Sequence, residues 1–483
     1  MVLNSLKFAV FFLIFLAVLL TVPKKVRKFW LLAGNGLFYL SWEKWSGILL
    51  LLSVLMVWGC GRLLKTRKTD DGVWNRRRKG IIFLLLPVVW NVGMLVFFRY
   101  AGLIGPLFGR IGLPFSAADI LAPLGISFYT LRCISYVAEI FRGRLEPQSL
   151  TDVFLYVSFF PQIISGPIEK PGRFFAELEK FRQTNLRDSG QILRSFLLFV
   201  WGLFQKIVLA ERLSMITNHI FPNFQNHGFW ELFAASLAYT LQIYCDFSGY
   251  SDMSRGIAGM MGFSAMRNFR QPYLACGIKS FWRRWHISLT DWLTEYVYIL
   301  LGGNRKGLLR KYANILIVFA VSGLWHGSTL NFLFWGLLHG VFQIAEDLWT
   351  RLTKSKSIDG RFGSKLFSHF ITLLAVNFAW IFFNAGGLNR GFRIIRQMLS
   401  RFTLPAAWDL GLIPGNLVVL AAGLLILFAV DGLHERGVSI QQKTAALPLP
   451  LRWLLYLGLF WSVIMLGIYG VGYDTAGFIY AQF

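Results

Sequence analysis

The fold is decided by residues 268–340, which read NFRQPYLACGIKSFWRRWHISLTDWLTEYVYILLGGNRKG (268–307) and then LLRKYANILIVFAVSGLWHGSTLNFLFWGLLHG (308–340). This stretch contains three of the seven histidines, His286, His326 and His339, together with a dense basic run and two long apolar segments. No other part of the chain combines as many proton-transfer groups with as much lipid-compatible surface. The pattern predicts a catalytic core inside a membrane.

The composition predicts an integral membrane protein of the all-α class. Of the 483 residues, 55% are hydrophobic and only 15% are charged, whereas an ordinary soluble domain has about 25% charged residues. Apolar runs of about 20 residues recur along the chain, which is the length of a membrane-spanning helix. The runs are continuous rather than alternating, so a transmembrane β-barrel is disfavoured.

The formal net charge of +25 is carried by short loops between the apolar runs. Lys and Arg at such positions orient the spans and contact anionic lipid headgroups. No aromatic platform or groove-reading motif accompanies the charge, so membrane lipid rather than nucleic acid is the predicted partner. The four cysteines form no CxxC pair, which argues against a disulfide framework and a metal site. We therefore expect a multi-pass protein of the cell's inner, cytoplasmic membrane.

The hydropathy pattern predicts about eleven spans in a single domain that covers residues 1–483. N-terminal spans occupy residues 1–116, the catalytic core about 117–348, and C-terminal spans 365–483. Within the core, FFPQIISGPIEKPGRF (159–174) interrupts a short apolar run with Pro and Gly. Irregular backbone at membrane depth must be buried in protein or line a wet cavity. A re-entrant element is expected there, with simple helix termination as the alternative.

Several charged residues fall within or beside predicted spans. Lys206 lies inside one, where a charge costs at least ~2.5 kcal/mol on insertion scales, so it should face the bundle or snorkel. Glu211 begins a predicted external loop. Asp246 and Asp252 of CDFSGYSDM (245–253) are expected at a membrane boundary. There they either pair with arginines or cap and turn the chain.

Residues 279–300 have the periodicity of an amphipathic interfacial helix. Apolar side chains recur with helical spacing at Trp282, Trp285, Leu289, Leu293, Tyr296 and Leu300. His286 flanks this stripe. It is expected either to bond a backbone carbonyl at the interface or to point into a tunnel as a functional polar group.

His326 ends the apolar run VFAVSGLWH, and Gly327 follows it as a helix terminator. An imidazole buried without a partner costs a few kcal/mol, which makes a purely structural role hard to justify. Ser322 and Gly323, one turn earlier, are expected to leave room beside the ring. An imidazole near its usual pKa suits general-base catalysis at neutral pH.

His339 lies in FWGLLHG (334–340), within the next predicted helix. Two roles are open for this side chain. It either orients His326 or forms a hydrogen bond with Asn331 or Glu346.

Between Arg267 and Lys311, nine basic residues outnumber two acidic ones, a formal charge of +7. A solvated loop that sets topology has this composition, and so does a docking surface for an anionic group such as the phosphates of coenzyme A or an acidic carrier protein. LGGNRKG (301–307) adds two cations on flexible backbone. The candidate donor-binding residues are Arg283, Arg284, Arg305 and Lys306.

Six ordered strings resemble the membrane-bound O-acyltransferase (MBOAT) family, in its branch of alginate O-acetylases and related polysaccharide O-acetylating proteins. The strings are LGISFYTL (124–131), FFPQIISGPI (159–168), YCDFSGYSDM (244–253), FWRRWHISLTDWL (281–293), YILLGGNRKG (298–307) and SGLWHGSTLNFLFWGLLHG (322–340). The match spans residues 123–340, and the C-terminal third matches only in its pattern of spans. Cys245 departs from the aromatic residue that the branch often has before the Asp.

The resemblance implies a ring of helices around a central funnel in which acyl donor and acceptor meet. The family's essential histidine falls on His326, and its second polar active-site position, Asn or His in different branches, falls on His286. The implied donor is acetyl-CoA, with no tightly bound cofactor. The implied acceptor is an extracytoplasmic polysaccharide, reached together with a separate partner protein.

Two alternatives are kept beside acetyl transfer. The first is transfer of D-alanine or another acyl group from a carrier protein to teichoic acid or a lipid hydroxyl, because the D-alanyl transfer proteins of teichoic acid synthesis share the FWxRWH and DFxGYS strings, although they generally lack LGGNR. A membrane transporter also has broken helices and buried polar groups. That class predicts inverted repeats, and the sequence shows none.

Overall fold

The computed structural model describes residues 1–42, 44–66, 73–110, 122–353, 362–402, 404–405 and 408–469. All regular structure in these ranges is helical, which confirms the all-α class. Seven of their helices are long and apolar enough to cross a membrane, namely Trp45–Lys65, Gly80–Ala101, Ser189–Ile220, Leu308–His326, Lys365–Asn384, Pro414–Glu435 and Leu449–Leu466. The chain is therefore a multi-pass membrane protein, while the count of about eleven spans and the central funnel stay predictions.

The chain divides into two compact units, of which the first comprises Met1–Phe196 and Ser254–Met266. Seven helices precede α8 (Ser189–Leu203) in the described part of this unit. They are α1 (Leu6–Thr21), α2 (Lys24–Leu40), α3 (Lys44–Thr66), α4 (Val73–Arg110), α5 (Ile126–Phe141), α6 (Leu150–Ser158) and α7 (Pro171–Gln183).

The second unit comprises Leu197–Met253 and Arg267–Phe483. It contains His286, His326 and His339, the three histidines of residues 268–340. The helices after α8 are α9 (Glu211–Ile220), α10 (Phe229–Met260), α11 (Ile278–Trp282), α12 (Ile287–Leu293), α13 (Leu308–His326), α14 (Leu330–Leu352), α15 (Phe362–Asn384), α16 (Leu388–Ser400), α17 (Pro414–Glu435), α18 (Ile440–Ala445) and α19 (Leu449–Leu466). The predicted division at residues 116–117 and 348–365 stays a prediction, and its first boundary lies outside the described residues.

In the first unit, the irregular segment after α6 is enclosed by protein. Residues 159–169 are all buried. The guanidinium of Arg132, itself fully buried, donates to Gln162 Oε1 at 3.0 Å. Gly125 has a φ of +69°, and a Cβ there would overlap the carbonyl oxygen of Ile163. Enclosure by protein is one of the two conditions that allow irregular backbone at membrane depth.

In the second unit, helix continues where the sequence predicted a loop and a membrane boundary. A π-helical turn, Phe204–Ala210, joins α8 to α9, and α10 runs through CDFSGYSDM. The predicted loop from Glu211 is therefore wrong, because Glu211–Ile220 is helical, while the predicted membrane boundary at Asp246 and Asp252 stays a prediction. Charge pairing explains why the helix continues past Glu211, because Lys206 Nζ lies 3.0 Å from Glu211 Oε1 and 2.6 Å from Asp246 Oδ1. Of the two alternatives for Lys206, facing the bundle is confirmed.

Candidate active site

His326 is positioned by the close packing of α13 on α14. A Cβ on Gly323 would overlap the carbonyl oxygen of Phe332, and one on Gly336 would overlap that of Phe319. Small residues of this kind let helix backbones approach closely in a membrane. The expectation of free room beside the imidazole at Gly323 is therefore wrong, because the backbone of α14 fills that space.

Gly323→Val tests this packing, and we expect it to destabilise the protein. Overpacking of a tight interface costs about 1–3 kcal/mol, and the carbonyl of Phe332 is backbone that cannot rotate away. Gly458→Val is the matched control, since nothing lies within 4 Å of a Cβ at Gly458 in α19. The thermal unfolding midpoint of the purified protein should fall for Gly323→Val and stay near that of the unmodified chain for Gly458→Val. Equal midpoints for the two variants contradict the packing argument.

The imidazole of His326 lies in an aromatic enclosure at the end of α13. The side chain is 3% exposed. Its ring centroid lies 4.9 Å from that of Trp325, 5.0 Å from that of Trp335 and 5.5 Å from that of Phe383. α13 ends at His326 with Gly327 extended after it, which confirms Gly327 as the terminator. The rings limit both the orientation of the imidazole and the access of water.

His286 lies at a break in the helix predicted over residues 279–300. α11 ends at Trp282, and α12 begins only after His286, whose backbone is left-handed at φ 43° and ψ 53°. The prediction of one continuous helix is therefore wrong. The aromatic stripe hid the break, because Trp285 and Leu289 on either side of it are both buried.

The environment of His286 keeps its imidazole neutral. The side chain is 1% exposed, and its ring packs edge-on against Phe247 at 4.6 Å between centroids. Burial lowers the pKa of His286 from its usual value to about 3. At neutral pH the ring therefore has one N–H donor and one acceptor nitrogen.

Both candidate catalytic histidines contact the same indole. The ring centroid of Trp325 lies 6.1 Å from that of His286 and 4.9 Å from that of His326. The structure thus brings the beginning of α12 and the end of α13 together around one aromatic side chain. Nothing in the sequence distinguished Trp325 from the other tryptophans of residues 268–340, although this stretch is rich in Trp.

His339 forms neither of the hydrogen bonds expected with Asn331 or Glu346, while its orienting role toward His326 stays a prediction. Its Nδ1 accepts a hydrogen bond from Trp282 Nε1 at 3.3 Å. The amide of Asn331 donates instead to the carbonyl oxygen of Phe382, and Glu346 accepts from the backbone N–H of Ile278. A ring of Trp335 stands next to both imidazoles, 5.2 Å from His339 and 5.0 Å from His326 between centroids.

The four predicted donor-binding cations have two kinds of environment. Arg284 donates to both carboxylate oxygens of Glu435, at 2.7 and 2.9 Å. Arg283, Arg305 and Lys306 are exposed, and none has an ion-pair partner among the described residues. The glycines of LGGNRKG have positive φ angles, +98° at residue 302 and +57° at 303. The loop is thus tightly turned, with its two cations facing outward.

In the portions of the chain that the structure describes, no cluster of three His, Cys, Asp or Glu side chains could hold a metal ion. The side chains that pack against the rings of His286 and His326 are aromatic, and they are not the carboxylates or thiolates that bind metal ions. What the arrangement offers chemically is therefore a pair of buried imidazoles for proton transfer and hydrogen bonding.

Known proteins with related sequences carry named activities. The chain is 34% identical over 415 residues to a probable alginate O-acetylase AlgI of Pseudomonas aeruginosa, covering 81% of this chain and 76% of the relative. It is 32% identical over 399 residues to a peptidoglycan O-acetyltransferase of Helicobacter pylori, covering 77% and 74%. A teichoic acid D-alanyltransferase of Streptococcus thermophilus is 28% identical over 254 residues, covering 50% and 60%.

The family assignment rests on the core of the chain as well as on these relatives. The model of the membrane-bound O-acyltransferase family matches residues 115–387, which is more than half of the 483 residues. The match includes His286, His326 and the α13–α14 packing that holds the second of them. The chain is an acyltransferase and belongs to the membrane-bound O-acyltransferase family.

Proposed function

We propose that this acyltransferase moves an acetyl group from cytoplasmic acetyl-CoA for the O-acetylation of an extracytoplasmic polysaccharide, and that it does so in the cell's cytoplasmic membrane. The observation that carries the proposal is the approach of His286 and His326 to one indole, Trp325, inside an aromatic enclosure. The two acetyl-transferring relatives, which match about three quarters of their lengths, support acetyl as the acyl group. A separate polysaccharide-acetylating protein on the outer side is the proposed partner.

In the proposed reaction, His326 acts as the general base. It takes the proton of the attacking hydroxyl while that oxygen forms a bond to the carbonyl carbon of the thioester. The carbon–sulfur bond then breaks, and the proton passes to the leaving sulfur, so that coenzyme A departs as the free thiol. General-base action contributes typically about 10²–10⁴-fold. The rest of the rate must come from orienting two substrates in a site with little water.

The proposed role of His286 is to donate a hydrogen bond to the carbonyl oxygen as negative charge develops on it. A neutral imidazole can do this with its one N–H, and donors fixed before the reaction act strongly where water is excluded. The packing of the ring against Phe247 limits its rotation.

The proposed binding site for the phosphates of the donor consists of the exposed basic side chains Arg283, Arg305 and Lys306, together with Arg284. The three exposed side chains have charge to offer an incoming anion, and positive charge attracts phosphates. Arg284 already binds Glu435 in a bidentate pair, so we expect it to contribute less than the others.

His286→Asn and His286→Ala separate hydrogen bonding from proton transfer. Loss of one oxyanion donor costs about 10²–10³-fold in kcat, so we expect the alanine variant to lose that much. Asn keeps an N–H donor and tolerates left-handed backbone, so His286→Asn should retain more activity. Because the pKa of His286 lies near 3, its ring does not titrate between pH 5 and 8. The acid limb of the pH–rate profile should therefore be the same for His286→Asn and the unmodified enzyme. A shifted limb contradicts the assigned role.

The donor is tested with membrane vesicles that contain the protein. Supplied with labelled acetyl-CoA, they should form an acetylated product that depends on His326. Supplied instead with a D-alanyl carrier protein, they should transfer nothing. The reverse result favours D-alanyl transfer, the second candidate, which rests on the match to the D-alanyltransferase over half of this chain.

A further inference from the structure

His286 occupies the position that begins α12 without capping that helix. A residue at this position normally accepts a hydrogen bond from an early backbone N–H with its side chain, but the His286 side chain makes no such bond. Its left-handed backbone is also sterically unfavourable for a residue with a Cβ. A conformation of this kind persists only where the surrounding structure enforces it. Something outside α12 must therefore hold the turn.

Asn268 supplies what α12 lacks. Its carbonyl oxygen accepts the backbone N–H of Ile287 at 2.9 Å. Its Oδ1 accepts both the backbone N–H of Ser288 at 3.3 Å and the Ser288 hydroxyl at 2.6 Å. One residue, eighteen positions before His286 in the chain, thus satisfies the first two N–H groups of the helix. The imidazole of His286 is not needed as a cap.

Asn268 is itself fixed to the helix that packs on the His286 ring. The side chain is 1% exposed, and its Nδ2 donates to Ser251 Oγ on α10 at 3.2 Å. α10 also carries Phe247, the ring that packs against the imidazole. α10 therefore contacts His286 in two ways, directly through Phe247 and through Asn268.

We propose that Asn268 is a positioning residue for acyl transfer, which fixes the left-handed turn and so aims the His286 imidazole. The proposal rests on the function proposed for His286. It assigns to Asn268 no contact with substrate. Its effect on catalysis should therefore pass entirely through the His286 side chain.

A double-mutant cycle on kcat tests the proposal. Asn268→Ala, His286→Ala and the double variant are compared with the unmodified enzyme, reconstituted in vesicles and saturated with labelled acetyl-CoA, per molecule of folded protein. A misplacement of about 1 Å can cost 10²-fold, so Asn268→Ala should lower kcat about tenfold to a hundredfold. In the His286→Ala background the same substitution should change kcat less than about twofold, because coupled residues are not additive.

Asn377→Ala is the matched control, because Asn377 is a buried asparagine that also bonds to α10, through Ser236 and Thr240. It should leave kcat per folded molecule unchanged. If Asn268→Ala yields too little folded protein, Ser288→Ala takes its place in the cycle. It removes the hydroxyl bond to Asn268 but keeps the backbone N–H bonds of Ile287 and Ser288 to that residue, and it should give a smaller coupled loss.

The results of the cycle distinguish failure of the positioning role of Asn268 from failure of the function proposed for His286. Equal losses from Asn268→Ala with and without the His286 ring overturn the positioning role and leave the function of His286 intact. A His286→Ala enzyme with native kcat overturns both the positioning role and the function proposed for His286. A native kcat in Asn268→Ala and Ser288→Ala, with His286→Ala impaired, overturns the positioning role alone.

Discussion

His326→Ala is expected to lower acyl transfer by at least about 10²-fold, and up to 10⁴-fold, since general-base catalysis contributes that much. We expect neither His339 nor His286 to take over as the base, because His339 already accepts a hydrogen bond from Trp282 and His286 is held at a separate turn. In cells the polymer should carry no detectable acetyl groups. In vesicles the turnover of labelled acetyl-CoA should fall by the same factor while the KM for the donor changes little.

The matched control is His219→Ala. His219 Nε2 lies 3.1 Å from Asp409 Oδ2, and the side chain is 39% exposed, so it is an exposed histidine beside a carboxylate rather than one in the aromatic enclosure. His219→Ala should preserve acetylation. Normal acetylation by His326→Ala, at normal protein abundance in the membrane, contradicts the assignment of the base. Comparing the thermal midpoints of the two variants shows whether a low abundance of His326→Ala comes from a less stable protein.

The sequence predicted those parts of the site that follow from local pattern. A long apolar run that ends in an imidazole and a glycine predicted the position of His326 at a helix end, and the structure confirms it. The same kind of reasoning failed at His286. Periodicity indicates which side chains are buried. The buried positions keep the same helical spacing on both sides of the break between α11 and α12, so the pattern does not reveal the break. A histidine signals a positive φ far less clearly than a glycine does.

The sequence also could not predict which residues contact the site residues. Arg284 pairs with Glu435, which is 151 positions away, and the turn at His286 depends on Asn268. Tertiary contacts of this kind are set by packing, which hydropathy does not encode. Arg284 therefore looked like a free cation for the donor's phosphates, whereas the structure gives it a carboxylate partner. The exposed Arg283 has none among the described residues.

The charge cluster of Lys206, Glu211 and Asp246 is the clearest example of a contact that the sequence could not predict. Five positions separate Lys206 from Glu211, and in an α-helix such residues point in different directions. The π-helical turn brings them together, because the backbone N–H of Glu211 bonds to the carbonyl oxygen of Lys206, five residues earlier. Short π-helical turns are rare and often mark functional sites. A sequence pattern based on 3.6 residues per turn could not anticipate this pairing.

Lys206→Met should therefore be strongly destabilising. The ammonium lies 2.6 Å from Asp246 Oδ1 and 3.0 Å from Glu211 Oε1, and the three side chains are at most 4% exposed. Removing one member of a buried ion pair costs about 3–5 kcal/mol, because charge is left uncompensated. Folded proteins have only about 5–15 kcal/mol of stability. We expect the variant to be scarce in the membrane, with a much lower thermal midpoint.

Stabilisation by paired charge predicts more than a loss of stability in Lys206→Met. If uncompensated carboxylates cause the defect, neutralising them should restore the protein, since replacing all members of a buried ion cluster is often nearly neutral. Lys206→Met with Asp246→Asn should recover part of the abundance, and adding Glu211→Gln should recover more. Simple loss of Lys206 packing predicts the opposite order, with each further substitution lowering the thermal midpoint. The direction of that series therefore decides whether this span is stabilised by paired charge or only by the volume of the lysine side chain.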